Sequence, residues 1–325
     1  MANKVFDVVL LFALPASGKS EVRNFMANIE PERLQNEFHI GENLQLDDFP
    51  YVHFMRCIDN ELEKINGGRL FYPSNEEPFI NDYDWGTLVQ LLNEDYYDLT
   101  NRNEIKVDSV AKWLFKRIDG AGLKVGIQPR ISVLDEAVVD ELAEKLEHEA
   151  ELILQGKLKE YPESFENKTI VIEAARGGHD GAQMPLTGAF GYQYSLAQFC
   201  PEILRNAAIL YIWVTPEESR RKNADRANPD DPGSNLFHGV PMPVMLGDYG
   251  CDDMAYLREN SELEDTVTVK AYGQTYHLPI GVFDNRIDKT SFLRQDKANW
   301  DAERVADVTE GIKSATDAMY KNYKQ

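Results

Sequence analysis

One stretch near the start of the chain decides the expected fold: Val8-Val9-Leu10-Leu11-Phe12-Ala13-Leu14-Pro15-Ala16-Ser17-Gly18-Lys19-Ser20. It begins with apolar strand formers, passes through a turn of small residues, and continues into a helix directly after Gly-Lys-Ser. Strand, loop and helix in this order build a phosphate cradle, because the loop N–H groups and the positive end of the helix attract anions. We expect Lys19 to reach the β- and γ-phosphates of a nucleotide and Ser20 to hold Mg²⁺.

The loop follows the pattern Gly-x4-Gly-Lys-Ser, except that Ala13 stands in place of the first glycine. Alanine tolerates a positive φ poorly, so an ordinary backbone conformation is expected at Ala13. Two other interpretations are a chance Gly-Lys-Ser in a surface loop and a secretory signal peptide, and Asp7 and the following amphipathic helix argue against the second. The residues predicted to contact the nucleotide at this loop are Ala13, Pro15, Ala16, Ser17, Gly18, Lys19, Ser20 and Glu21.

Composition and charge narrow the class of protein. The 325 residues are 43% hydrophobic and 10% aromatic, which is enough to bury a sizeable core. The formal net charge of −21 argues against a nucleic-acid partner, which needs clustered lysines and arginines. The cysteines Cys57, Cys200 and Cys251 lie far apart, and no apolar run approaches the ~20 residues of a membrane span. We therefore expect a single cytoplasmic domain, residues 1–325, without disulfides or a membrane segment.

Acidic residues follow two further predicted strands. Residues 44–46 form a short buried strand that ends in Asp47-Asp48, and residues 169–172 form a strand that ends in Glu173. Because ligands of doubly wound sheets bind at the carboxyl ends of the strands, we expect these acids beside the loop. Asp47 or Asp48 would meet a substrate hydroxyl or a metal ion, and Glu173 would orient Mg²⁺ through water. The alternatives are a solvated turn at Asp47-Asp48 and a capping role for Glu173.

Between these acids, residues 51–167 have helical periodicity and are predicted to form a mainly helical insertion that shapes an acceptor pocket. Apolar residues recur at i, i+4 spacing from Leu134 to Leu154, and Ser132 begins a sequence that resembles a capping box for this helix. Glu and Lys residues between them indicate a solvated face.

Residues 228–280 are predicted to form a lid or a plain long connection, followed by a hairpin. Breaker residues are frequent between Asn228 and Gly250, and a Tyr272-Gly273-Gln274 turn joins two β-rich runs. Residues 280–285 are expected to form a separate last strand of the sheet, and an amphipathic helix closes the chain.

A strand over residues 207–214 leads through Thr215 and Pro216, as cap and first position, into a helix that contains several cations. In so acidic a protein, this helix is the clearest candidate for neutralising phosphate charge, although ordinary solvated residues are the alternative for each side chain. The predicted charge-neutralising residues are Arg220, Arg221 and Arg226.

Four landmarks stand in order along the chain: Gly18-Lys19-Ser20, Leu46-Asp47-Asp48-Phe49, Ile170-Val171-Ile172-Glu173, and residues 211–214 with the arginines after them. Over roughly half of the chain, this order resembles the P-loop kinases of the uridine kinase and phosphoribulokinase type. The resemblance implies a P-loop NTPase-type, doubly wound, mainly parallel α/β sheet. It also implies that Asp47 or Asp48 takes the proton of an acceptor hydroxyl, and that Asn285 lies near the adenine of ATP.

The predicted function is Mg·ATP-dependent transfer of the γ-phosphate to a hydroxyl of a small metabolite, with a nucleoside or sugar-like acceptor as the first guess. Ser20 and Glu173 are the predicted Mg²⁺ residues, and Asp47 is preferred over Asp48 as the base. The predicted catalytic residues are Lys19, Asp47, Asp48, Glu173, Arg220, Arg221 and Arg226. The alternatives are a P-loop ATPase or nucleotide-dependent switch with a protein partner, and a polynucleotide end kinase, which the acidic balance disfavours.

Overall fold

The structure is a computed structural model that describes residues 5–226 and 239–323. Within these ranges the strands are β1 (Val8–Phe12), β2 (Glu42–Asp47), β3 (Lys168–Ala174), β4 (Ala207–Trp213), β5 (Thr266–Ala271) and β6 (Gln274–Asp284). They form one sheet in the order β2-β3-β1-β4-β6-β5. All neighbouring pairs are parallel except β5 with β6. The predicted mainly parallel α/β sheet is therefore confirmed, and the arrangement is compatible with a doubly wound fold.

The helices of the described residues surround this sheet. They are α1 (Lys19–Ala27), α2 (Pro31–Phe38), α3 (Phe49–Asn66), α4 (Asp84–Asn101), α5 (Val110–Lys124), α6 (Glu136–Lys159), α7 (Gly191–Gln198), α8 (Pro201–Asn206), α9 (Pro216–Arg226), α10 (Met242–Gly247), α11 (Met254–Glu259) and α12 (Ala302–Lys321). Two 3-10 turns, Ser291–Arg294 and Lys297–Asn299, precede α12. In the described part of the chain, no helix combines the length and the apolar character needed to cross a bilayer.

β1 lies in the middle of the sheet and is buried along its whole length. Its side chains alternate between two cores: Val8, Leu10 and Phe12 pack on one face, and Val9 and Leu11 on the other. Both faces are covered, which explains why this strand is apolar at every position rather than at every second one. The 13–20 loop that follows it therefore starts from the most rigid part of the sheet.

A third apolar core lies outside the sheet, among the four long helices α3 to α6. The long predicted helix forms as α6, but Ser132 does not cap it, because α6 begins at Glu136 with Asp135 as the preceding residue. The Asp119 carboxylate accepts hydrogen bonds from the backbone N–H groups of Arg130, Ile131 and Ser132. These bonds hold the segment as a loop, so the helix starts later than its sequence pattern indicates.

The end of the sheet also differs from the prediction. The Tyr272-Gly273 turn forms with positive φ at both residues, but β6 continues unbroken through the expected start of a separate strand. Its first half pairs with β5 and its second half with β4, so one strand joins the hairpin to the parallel sheet. Of the predicted 228–280 lid and hairpin region, residues 228–238 lie outside the described residues.

Gly281 lies where β6 and α12 come closest, because a Cβ there would collide with the backbone carbonyl of Ala315. We expect Gly281→Ala to destabilise the fold by about 2 kcal/mol or more, since neither backbone can give way cheaply. Gly156 on α6 is exposed and has open space around it, so Gly156→Ala should instead stabilise by ~0.5–1 kcal/mol through helix propensity. Urea unfolding of both variants measures their free energies of unfolding. Equal values for the two variants would contradict the close packing of β6 against α12 at Gly281.

Candidate functional site

The 13–20 loop contains two residues with positive φ. Gly18 directly before α1 has φ 105°, and Ala16 has φ 56°. Ala13 has no positive φ, as expected. A left-handed conformation costs an alanine about 1 kcal/mol, so the rest of the structure must hold the loop in this shape. Backbone strain of this kind is common where a loop is shaped for a ligand.

Buried side chains from distant parts of the chain hold the loop. The Asn285 side-chain amide donates to the Ser17 carbonyl at 2.8 Å and to the Thr290 hydroxyl at 3.0 Å. The Ser219 hydroxyl of α9 donates to the Pro15 carbonyl at 2.7 Å. A Cβ at Gly18 would clash with Thr290 and Asn285, so only glycine fits there. Asn285, predicted to lie near a nucleotide base, is fully buried and supports the loop instead.

The loop presents backbone hydrogen-bond donors that find no acceptor in residues 5–226 and 239–323. Across the described residues, the backbone N–H groups of Ser17, Gly18 and Ser20 donate to no backbone or side-chain acceptor of the protein. Lys19 Nζ lies 3.2 Å from the Ala13 carbonyl and 3.4 Å from the Leu14 carbonyl. Amide donors at the start of a helix, next to an ammonium group, form an environment that favours an anion.

Two acids of neighbouring strands lie beside this loop. In the register of the sheet, Leu11 of β1 lies opposite Glu173 of β3, and Glu173 lies opposite Asp47 of β2. Residues in register share a face of the sheet, so both carboxylates project toward α1. There the Arg23 guanidinium lies 2.5 Å from the Glu173 carboxylate and 3.7 Å from that of Asp47. The predicted meeting of these acids at the loop is therefore present in the structure.

Asp47 is in an environment that opposes its charge. Burial is the largest cause that raises the pKa of Asp47 to about 7, and the neighbouring charges of Glu173 and Asp48 add to it. The Phe49 N–H and the Arg23 guanidinium lower this pKa, but only in part. A carboxyl group with a pKa near the working pH is well suited to take and release a proton.

Asp48 differs from its neighbour because it has a buried counter-charge. Its carboxylate lies 2.6 Å from the guanidinium of Arg176, although the two atoms are not aligned for a hydrogen bond. Arg176 is 2% exposed and donates to the Ser195 hydroxyl and the Ala175 carbonyl. The sequence analysis missed Arg176, whose signal is its place three residues after Glu173. Asp48 is thus tied to an ion pair, which leaves Asp47 as the freer acid.

The loop and the acids line one cavity of about 170 Å³. On its loop side are residues 15–21, Arg23, Asp47, Asp48 and Glu173. Its opposite side is formed by α3, the connection between α3 and α4, the start of α4, and the segment from Val240 to Tyr249. Residues from the predicted helical insertion and from the region after residue 238 therefore share the cavity with the loop.

Arg220 and Arg221, two of the predicted arginines of α9, do not line this cavity. Arg220 pairs with Asp180 and Glu217, and Arg221 is half exposed and pairs with Glu218 and Asp225. The acids three or four positions away on the same helix hold these arginines locally, as such spacings allow. The Arg226 side chain lies outside the described residues. Arg23 and Arg176, which the sequence analysis did not select, are the cations next to the site acids.

Glu21 and the predicted metal residues also border the cavity. Glu21 is paired with Arg294 at 2.5 Å, so its carboxylate already has a counter-charge. Ser20 and Glu173 supply hydroxyl and carboxylate oxygens, the donor type that Mg²⁺ prefers. Among the described residues no three His, Cys, Asp or Glu side chains form a metal cluster. Mg²⁺ bound next to phosphates needs only one or two protein oxygens, so this donor set fits it.

The raised pKa of Asp47 has a consequence for stability. A carboxyl that is protonated more readily in the folded state stabilises the fold at low pH and loses this contribution as the pH rises through about 7. We expect Asp47→Asn to raise the melting temperature by ~2 °C or more at about pH 8, and by less at about pH 5.5. Differential scanning calorimetry of the variant and the original protein at both pH values measures these differences in melting temperature.

Asp288 supplies the matched control for this prediction. Burial alone would raise its pKa, but Lys222 at 2.8 Å and the Ser291 hydrogen bond hold the pKa of Asp288 below its ordinary value. Asp288→Asn should therefore lower the melting temperature at about pH 8. A destabilising Asp47→Asn at that pH would contradict the electrostatics described for Asp47.

Comparison with known proteins does not extend this description. No protein-family model, no curated protein and no solved structure matches the chain. A function is therefore inferred from the residues of the chain itself and from their geometry.

Proposed function

We propose that this protein is an Mg·ATP-dependent phosphotransferase of the P-loop kinase type, which transfers the γ-phosphate to a hydroxyl of a small metabolite. The observation that carries the proposal is the shared cavity of the 13–20 loop, Asp47 and Glu173. An anion-binding loop supports nucleotide binding, and a carboxyl group beside it supports activation of an acceptor. The order of the sequence landmarks, which resembles that of P-loop kinases, is in accord with this arrangement.

Each group has a role that follows from its environment. The Ser17, Gly18 and Ser20 amides and the Lys19 ammonium bind the phosphates of the nucleotide. Ser20 and Glu173 hold Mg²⁺, which when bound neutralises charge on the phosphates. Arg23, next to Glu173 and Asp47, keeps both carboxylates in place on the face of α1. Transfer then depends chiefly on holding acceptor and phosphate in line.

Asp47 is the base in this proposal. The acceptor oxygen forms a bond to the γ-phosphorus while the bond from this phosphorus to the β–γ bridging oxygen breaks. The hydroxyl proton passes to Asp47 and ADP leaves with the bridging oxygen. Asp47 rather than Asp48 has this role because its pKa is raised to about 7, whereas Asp48 is held against Arg176.

Lys19→Ala tests the nucleotide site. We expect it to weaken binding of Mg·ATP at least tenfold in isothermal titration calorimetry, because the buried loop loses its only ammonium. Lys145→Ala, on the exposed surface of α6, is the control and should bind as the original protein does. Absence of heat with the original protein, or equal affinity of the Lys19→Ala variant, would refute the proposal. ADP formation without any added acceptor would favour an ATPase or switch instead.

The two acids can be separated by kinetics once an acceptor is found. Asp47→Asn should lower kcat by ~10²–10⁴ with little change in ATP affinity, since a positioned base contributes about this factor. In the original protein kcat/KM should rise with pH through about 7, because Asp47 must lose its proton to act. A larger loss of kcat in Asp48→Asn than in Asp47→Asn would transfer the role of base to Asp48.

A further inference from the structure

The wall of the cavity opposite the loop is aromatic. Five rings contribute to it, from Phe49, Tyr72, Phe79, Trp85 and Tyr249. The rings of Tyr72 and Phe79 are stacked with centroids 4.5 Å apart, and Trp85 meets both Phe79 and Tyr249 edge to face. A wall of fixed rings offers flat apolar surface to a ligand at little cost in side-chain entropy. A flat aromatic ring matches such a surface more closely than an open-chain alcohol or a small sugar such as ribose.

Tyr72 adds a polar group for which the protein provides no partner. Its side chain is 2% exposed, and its hydroxyl has no hydrogen-bond partner among the described residues. Burial also raises the pKa of Tyr72 well above its ordinary value, so the hydroxyl stays neutral and is able to donate. Buried hydroxyl groups in native proteins nearly always have a partner. In a residue that lines a cavity, the missing partner is expected to come from the ligand.

The charges around these rings disfavour an anionic ligand. Asp48 and Asp248 both line the cavity and are buried. Two cations lie near these rings. Arg56 lies over the Tyr72 ring at 3.8 Å and donates to the backbone carbonyls of Ser74 and Asn75, and Arg176, 5.0 Å from the centroid of the Trp85 ring, is paired with Asp48. Both guanidinium groups thus already have partners within the protein. A phosphate or carboxylate placed among these rings would have to compete with Asp48 for Arg176 and with backbone carbonyls for Arg56, and it would also face Asp248.

We propose that the acceptor is an uncharged, unphosphorylated alcohol with a flat aromatic or heteroaromatic ring. The ring lies against Phe79, Trp85 and Tyr249, and a polar atom on it pairs with the Tyr72 hydroxyl. The acceptor hydroxyl then points toward Asp47, on the loop side of the same cavity. This assignment rests on the proposed function for its transfer step, but the binding of the ring does not depend on transfer.

Tyr72→Phe removes only the unpartnered hydroxyl and is the central variant. Tyr161→Phe is its matched control, because the Tyr161 hydroxyl is also buried without a partner in the described part of the chain but does not line the cavity. Neither change removes a protein hydrogen bond, so both variants should fold. The probes are uridine and pyridoxine, their monophosphates, and ribose, each titrated calorimetrically with Mg·ADP in excess so that no probe phosphate can occupy the loop.

We expect at least one of the two ring alcohols to bind, its monophosphate to bind at least tenfold more weakly, and ribose not to bind. Tyr72→Phe should weaken the binding of this ring alcohol about fivefold, the value of one neutral hydrogen bond, and Tyr161→Phe should leave it unchanged. Failure of both ring alcohols to bind, equal or tighter binding of a monophosphate or of ribose, or unchanged affinity in Tyr72→Phe would overturn the assignment.

Activity measurements keep this assignment separate from the proposed function. Binding of a ring alcohol that follows the expected pattern, without ADP formation from Mg·ATP, would support the aromatic site and refute the kinase. ADP formation that depends on ribose or on a phosphorylated alcohol would support the kinase and overturn the aromatic acceptor.

Discussion

The parallel pairing of β1 between β3 and β4 is the constraint on which the rest of the site depends. Parallel strands end at the same edge of a sheet, so whatever follows β1, β2 and β3 is brought together there. The register places Leu11, Glu173 and Asp47 in one row across three strands. The loop therefore meets two acids that are distant in sequence, and α1 supplies Arg23 between them. A single hydrogen-bonding pattern thus assembles the cavity.

Charge is distributed unevenly among the acids at this edge. Glu173 has Arg23, Asp48 has Arg176 and Glu21 has Arg294, whereas Asp47 is left with a raised pKa. A protein with a formal net charge of −21 could place acids anywhere on its surface, so placing this one against two other acids costs free energy that the Phe49 N–H and Arg23 offset only in part. Such local cost is characteristic of functional sites. The left-handed backbone conformation of Ala16 in the adjoining loop is a second local cost in free energy.

The helical region contributes mainly apolar and aromatic side chains to the cavity. Its own core is separate from those of the sheet, and its buried ion pairs, such as Arg117 with Asp95, hold its helices together away from the loop. It reaches the cavity through Val52 and Arg56 of α3 and through Tyr72, Phe79 and Trp85. Under the proposed function, the nucleotide site would lie on the rigid sheet and the acceptor site on the helical region, so that the acceptor site could vary without disturbing the nucleotide site.

The sequence by itself determined the elements whose signals are local. The apolar run before Gly18-Lys19-Ser20 predicted β1, the loop and α1, and the acids after two buried strands predicted the carboxylates at the edge of the sheet. These predictions succeeded because strand period, turn chemistry and parallel topology are each encoded within a few residues. Even so, the α6 start was misplaced, since Asp119 holds residues 130–132 from another helix.

Only the tertiary structure decided which side chains meet. Arg220 and Arg221 were expected at the site, but acids one helical turn away bind them, whereas Arg23 pairs with Glu173 across 150 positions of sequence. The difference between Asp47 and Asp48, the supporting role of Asn285 and the aromatic wall also arise from contacts between remote segments. Burial and long-range charge set these properties, and neither has a signature in the order of residues.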